Sequence, residues 1–428
     1  MTPEIKQRID KICHGEVPEG YQRTFLGIAP KSWDKSRIDK ICRLSSGSTP
    51  RRDAVENFAG DILWVTSGEL KRRTIEDTRE KISETAVVNS HLEIYDPGTV
   101  VIAIYGLEAA GIRGTVSIIG KQCTISQACM AFTEFKGIDN EFFYYWYLNN
   151  GQVIGLRYAQ GTKQQNLSTD IVGSFPICFP GQGEQQKIAA ILTTQDRVIE
   201  LKEKRLAGKQ RQKKYLMQQL LTGKKRLPGF SGAWKNIKLC EVLSERKEKN
   251  IEQNLRICSV AVQKGVIDQI EHLGRSYAAS DTSNYSVAHY GDIIYTKSPT
   301  GDFLYGIVKQ NLLQETVAVS PLYGVFTPMT FGLGYFLHTY FQSAICAQNY
   351  LSPIVQKGAK NTINITNDTF ISSKLYLPLD VEEQKAIADT FIAADREIDL
   401  LRQDIEQEKQ KKKALMQLLL TGIVRVKT

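Results

Sequence analysis

At 428 residues, 42% of them hydrophobic and 24% charged, the chain is too long for one ordinary domain and has the make-up of a soluble globular protein. Its longest apolar runs, such as 142–148, fall far short of a membrane span, and the charged start MTPEIKQRIDKICHGEVPEG has no apolar signal-peptide core, so a cytoplasmic location is expected. The eight cysteines and five histidines are dispersed with no Cys-x-x-Cys pair, which predicts reduced, mostly buried thiols and no structural metal.

In chain order, a charged N-terminal segment (1–30) precedes a first globular stretch (31–182). This stretch opens on SWDKSRIDKI and continues through the β-rich PGTVVIAIY and ISQACMAF, the aromatic FFYYWYL and the glycine–amide stretch GTKQQNLS, then a strand ending at Pro180. A long helical stretch (183–226) follows, with Ile188, Leu192, Ile199, Leu206, Leu216 and Leu220 on a four-three spacing. The second globular stretch (227–380) repeats the first faintly: AWKNIKLCEV, YGDIIYTKS, VSPLYGVF, YFLHTYF and GAKNTINI, then a strand ending at Pro378. A second helical stretch (381–428) carries Ile387, Phe391, Ala394, Ile398, Leu401, Ile405, Leu415 and Leu419 on the same spacing. Both helices close on Leu-Leu-Thr-Gly, glycine suiting the left-handed position after a helix. Gly208 and the polar run 209–214 interrupt the first seam, where local fraying or a partner's groove is expected.

The two helical stretches are copies. Displaced by 199 positions they align without a gap from 184–226 to 383–425, with 18 of the 43 positions identical. Such helices bury their apolar stripes most cheaply against each other, and a domain-sized connection lets the second return antiparallel. The expected fold class is α/β: two mixed α/β domains separated by an antiparallel two-helix coiled-coil stalk with a pseudo-two-fold internal repeat. Charge divides the copies: 184–226 holds 12 Lys/Arg against 4 Asp/Glu, while 383–425 holds 8 against 8. A net charge of +9 concentrated in this way suggests a polyanionic partner, the alternative being a solvated helix face.

The order globular, helix, globular, helix, with Glu-Gln-x-x-Ile-Ala opening and Leu-Leu-Thr-Gly closing each helix, resembles the specificity subunit of type I restriction–modification systems. The resemblance covers nearly the whole chain. It implies two target-recognition domains (31–182 and 227–380), each reading one half of a bipartite, asymmetric double-stranded DNA target, with helical spacers at 183–226 and 381–428. It further implies two modification (methyltransferase) subunits and motor-nuclease restriction subunits as partners, and no cofactor of its own.

The search for catalysis agrees. There is no GxxxxGK[ST] loop, no Asn/Asp-Pro-Pro-aromatic methyltransferase tetrad and no GxGxxG after a strand, and Glu245-Arg246-Lys247 reads as a solvated turn, not a nuclease Glu-x-Lys. DNA contacts are expected from loops that join glycine to basic, amide or hydroxyl side chains. In the first domain these are Lys71, Arg72, Arg73, Arg113, Lys163, Gln164, Gln165 and Asn166; in the second, Lys297, Ser298, Lys357, Lys360 and Asn361. Lys163→Ala combined with Gln164→Ala is expected to weaken binding to the cognate site; unchanged affinity would remove this loop from the interface. The aromatic runs and Trp33 and Trp234 read as core, and the basic run 209–214 as a contact to DNA or to an acidic partner surface. Two readings from other classes are a coiled-coil scaffold without DNA specificity and a fused enzyme.

Overall fold

The structure is a computed structural model that describes residues 2–104, 115–157, 167–275, 278–357 and 363–427. The chain divides into two compact units, residues 1–202 with 404–428 and residues 203–403. Each unit therefore holds one globular domain and one end of each long helix. The helices that matter here are α1 (Pro3–Cys13), α2 (Asn140–Arg157), α3 (Gln182–Leu220), α4 (Phe331–Tyr340) and α5 (Val381–Leu420).

The faint repeat between the globular stretches is a repeat of topology. In the first unit a sheet runs in the order 43–46, 129–133, 100–103, 116–119, 74–75. In the second the order is 243–245, 324–328, 293–295, 308–310, matching the first four strands and lacking the fifth. A further sheet in each unit contains a parallel pair, 62–65 with 123–125 and 257–261 with 317–319. The first and last strands of each domain also pair antiparallel, Asp34–Arg37 with Pro176–Phe179 and Lys235–Lys238 with Lys374–Leu377. The closing strands stop one residue before Pro180 and Pro378, where the missing amide hydrogen cannot extend a ladder.

In both units an aromatic helix lies in the core. Phe142, Phe143, Tyr145 and Tyr147 of α2 are fully buried, as are Phe336 and Leu337 of α4, so these rings are packing rather than base-stacking surfaces. The caps fix their correspondence: the Asp139 carboxylate accepts from the Phe142 amide and the Thr330 hydroxyl from the Leu333 amide. Phe142 thus matches Leu333, two residues from the alignment of 142–148 with 335–341 that the sequence suggests.

The long helices run antiparallel within each unit, over lengths of 39 and 40 residues. In the first, Lys412 pairs with Asp196 (2.6 Å) and Lys202 with Asp404 (2.8 Å); in the second, Lys209 pairs with Glu397 (2.8 Å) and Lys213 with Asp395. The seam residues Ile188, Leu192, Ile199, Ile387, Phe391, Ile398, Leu401 and Ile405 are buried. Helix α3 continues unbroken through Gly208, where the sequence suggests fraying. The basic excess of α3 is in good part neutralised by α5: Lys202, Arg205, Lys209 and Lys213 all meet its carboxylates. Much of the charge that suggests a polyanion is thereby answered inside the fold.

Glu245-Arg246-Lys247 is also not the solvated turn read from sequence. Arg246 forms a bidentate pair with Asp292 (2.6 and 3.2 Å), whose side chain is 2% exposed. The acidic partner stands 46 residues away, beyond the reach of a local reading.

Candidate nucleic-acid interface

The most closely repeated feature of the chain, Glu-Gln at each helix start and Arg three residues after each closing glycine, assembles into two equivalent clamps. In the second unit Glu383, 1% exposed, takes a bidentate pair from Arg226 and accepts from the Trp234 indole N–H (3.1 Å). Arg226 also lies 5.4 Å from the Trp234 ring centroid. In the first unit Arg425 pairs with Glu184 (2.7 and 2.8 Å) and lies 5.9 Å from the Trp33 ring. The start of one long helix, the end of the other and the residue that leads into the first domain strand are thus tied at one point in each unit. The neighbouring glutamines hold the domain side: Gln185 accepts from the Asp139 amide (2.7 Å) and donates to the Pro180 carbonyl (2.7 Å). Gln384 accepts from the Thr330 hydroxyl (2.6 Å) and donates to the Pro378 carbonyl (2.9 Å).

The closing glycines take the left-handed backbone, with φ +68° at Gly223 and +67° at Gly422. A Cβ at Gly422 would sit 2.5 Å from Pro30 and 2.8 Å from Trp33, so the close approach excludes any side chain. The N-terminal segment adds to this end of the first unit, the Tyr21 hydroxyl donating to the Gly422 carbonyl (2.7 Å) and Arg8 to that of Ile423. Sequence marks Trp33, Trp234 and the closing glycines but does not join Glu184 to Arg425 or Glu383 to Arg226; the signal for that pairing is the identical spacing of Arg226 and Arg425 from their glycines.

Of the thirteen sequence-predicted DNA contacts, Lys71 and Arg72 are exposed on the turn leading into the strand Thr74–Ile75. Arg73, the third of that run, points inward: it pairs with Glu141 and donates to Tyr145 (3.3 Å) and Thr193 (3.4 Å). In the second domain Ser298 is exposed, and Lys297 is half-buried with φ +57°, a left-handed conformation rare for a side-chain-bearing residue. Its neighbour is the Gly306 backbone, where a Cβ would meet the Lys297 nitrogen at 2.8 Å. Burial pushes the Lys297 ammonium below its usual range, with Glu245 opposing. Lys357 lies on a two-residue strand paired with Ile363–Asn364. Arg113, Lys163, Gln164, Gln165, Asn166, Lys360 and Asn361 lie outside the described residues.

Chemically the described surface offers cationic and hydroxyl donors to phosphate, and among the described residues no cluster of His, Cys, Asp or Glu suited to a metal ion. Among the described residues no helix is long and apolar enough to cross a membrane. A duplicated α/β domain is mounted on paired helix ends in each unit, with Lys71, Arg72 and Ser298 exposed on its loops.

Comparison with known proteins makes the class specific. A family model described as the type I restriction modification DNA specificity domain matches twice, over residues 30–208 and 234–410, and the chain belongs to this family. It is 23% identical over 429 residues to the type I restriction enzyme MjaVIII specificity subunit of Methanocaldococcus jannaschii, covering 93% of this chain and 94% of that one. It is 29% identical over 188 residues to the MjaIX specificity subunit of the same organism, a match spanning 42% of that relative and 43% of this chain. Among solved structures it resembles the type I restriction-modification S subunit from M. genitalium, with a TM-score of 0.57 at 12% identity over 90% of this chain and 96% of that one. A chain from a structure on complex assembly of the type I restriction–modification system gives 0.52 at 15% identity, covering 92% and 99%. At these identities the structural likeness bears on the fold alone.

Proposed function

We propose that the chain is a non-catalytic DNA-specificity subunit that brings type I modification subunits, and restriction subunits where present, to a bipartite asymmetric target. The observation that carries this reading is the duplication itself: one strand order and one clamp, repeated, present two domains whose exposed loops differ. The domains at about 31–182 and 227–380 each read one half-site, and the helical spacers at about 183–226 and 381–428 set the unread gap. The duplex partner is double-stranded DNA in the cytoplasm, and methyl transfer and strand cleavage belong to the partner subunits. A scaffold without DNA specificity would have no use for two different sets of basic loops.

Lys71, Arg72, Arg113, Lys163, Lys297, Lys357 and Lys360 serve as phosphate contacts, with Gln164, Gln165, Asn166, Ser298 and Asn361 as donors and acceptors to base edges. Lys71→Ala with Arg72→Ala is expected to weaken binding evenly across sequences. It should also reduce the slope of log K against log salt by about one unit for each phosphate no longer neutralised. The check is fluorescence anisotropy on the assembled complex over a salt series, and an unchanged slope would take both residues out of the interface.

Lys297 makes a second test, because its backbone argues for a role. A non-glycine residue in the left-handed region costs about 1–2 kcal/mol, a strain retained where the side chain is used. Lys297→Gly is expected to stabilise the fold slightly, by up to about 1 kcal/mol, while lowering DNA affinity. Denaturant midpoints and anisotropy together decide it; a stabilised protein with full affinity would leave Lys297 without a DNA role.

A further inference from the structure

The two units repeat one cluster beneath the aromatic helix, with a difference in charge. In the first, Asp196 accepts from the Tyr145 hydroxyl (2.7 Å) and pairs with Lys412 (2.6 Å), while Arg73 pairs with Glu141. Two cations meet two carboxylates. In the second, Asp395 accepts from the Tyr335 hydroxyl (3.0 Å) and pairs with Lys213, which also donates to Gln342 (2.9 Å). The position of Glu141, second in α2, is Gly332 in α4, so that carboxylate has no counterpart. The strand Val308–Gln310 occupies the place of Val116–Ile119 and carries Lys309 into the interior. Two cations here meet one carboxylate, and Asp399, which lines the same cavity, is already paired with Arg402 (3.1 Å).

Lys309 is 4% exposed, and its ammonium makes no hydrogen bond or ion pair among the described residues. A buried charge without a partner is costly unless something supplies one. Burial pushes its pKa down to about 8, Lys213 acting in the same direction and Asp395 opposing, so it still carries most of its charge near neutrality. The space beside it is open. In the first unit the fifth strand, Thr74–Ile75, covers the edge of Val116–Ile119 and delivers Arg73. The four-stranded sheet of the second unit ends at Val308–Gln310, and a cavity of about 960 Å³ lies between it, α4 and the two long helices. Lys309 and His338 line its buried side. The His338 Nδ1 accepts from the Gln310 amide (3.0 Å), which leaves Nε2 to carry the proton of the neutral ring. Lys214, Lys224 and Lys264 are exposed lining residues with no acidic partner among the described residues.

We infer that this cavity is a binding site for a phosphate ester, its charged group meeting Lys309 and its body lying against Met217, Val262 and Leu313. A single carboxylate would balance Lys309 but leave the three outer lysines and most of the volume unused. A phosphate monoester carries close to two charges at neutral pH and several acceptor oxygens. Its size class also suits a cavity toward the upper end of small-molecule sites. The phosphate has two sources, a free nucleotide, whose monoester carries close to two charges, or the backbone of bound DNA, whose diester carries one, and either presents anionic oxygens to Lys309. The inference does not depend on the DNA-specificity reading, whose own test is the salt slope of the Lys71 and Arg72 variant.

The experiment is calorimetric titration of the full chain with adenosine 5′-monophosphate, without metal, for the wild type, Lys309→Met and Lys264→Ala. Binding is expected, weakened at least tenfold in Lys309→Met and severalfold in Lys264→Ala. The latter residue is exposed, and its replacement keeps the test decisive if the buried change disturbs folding. Displacement of the nucleotide by a duplex oligonucleotide identifies DNA as the phosphate source, and retention identifies a free nucleotide; either supports the site. No binding by the wild type at millimolar nucleotide, equal binding by both variants, or tighter Lys309-dependent binding of a glutamate-rich peptide overturns it.

Discussion

Replacing Arg226 by alanine is expected to cost about 3–5 kcal/mol of stability, because it leaves the Glu383 carboxylate buried without its counter-charge. Glu383 is 1% exposed and the Arg226 side chain 24%, so solvent can do little in place of the guanidinium. The Trp234 N–H would remain as one donor, where the bidentate pair supplied two more. The symmetric change, Arg425→Ala, should cost distinctly less: the Arg425 side chain is 42% exposed, and Glu184 keeps the Val426 amide at 3.1 Å. Urea unfolding, with the slope checked so that a change in midpoint reports stability, measures both. Arg226→Met combined with Glu383→Met should restore most of the stability, since a buried ion pair exchanged for apolar packing is often close to neutral. Wild-type stability in Arg226→Ala would mean that the clamp does not hold the helix start to the domain.

Inserting seven residues into each long helix, in register across the antiparallel pair, is expected to lengthen the unread gap in the target by about three base pairs. Seven residues add about 10 Å of helix, and DNA rises about 3.4 Å per base pair. The two half-site sequences should be unchanged, because the insertion leaves each domain and its clamp intact. The change belongs in the middle of the helices, away from Gln195, which donates to Glu408 (2.6 Å), and from the Lys213–Asp395 pair. Methylation sequencing of cells carrying the insertion reads the result directly. An unaltered gap with retained activity would separate spacing from helix length.

The parts of this architecture that can be read from the sequence are those written locally. The seam of Ile188, Leu192, Ile199, Ile387, Phe391 and Ile398 follows from helical periodicity, and the glycine stops from the left-handed backbone they permit. Trp33 and Trp234 are readable as anchors because each stands before a β-rich run at the head of a domain. What pairs across distance is not readable in this way. Glu184 finds Arg425 across 241 residues and Glu383 finds Arg226 across 157, so the repeat marks both ends of each clamp without showing that they meet. Arg73 reads as a DNA contact beside Lys71 and Arg72, whereas in the structure α2 brings Glu141 and Tyr145 over it. Lys309, in the ordinary-looking IVKQNLL, lies in a strand whose three residues are all buried, a placement that alternation alone does not announce.

If this chain names a DNA sequence for enzymes that act on it, the methylome of cells carrying it together with its modification partner must differ from that of cells carrying the partner alone. The expected difference is methylation at one new split motif, two different short blocks around a fixed gap, present only with this chain. Methylation by an active partner that is the same with and without it would contradict a role in DNA specificity and return the protein to the class of helical scaffolds.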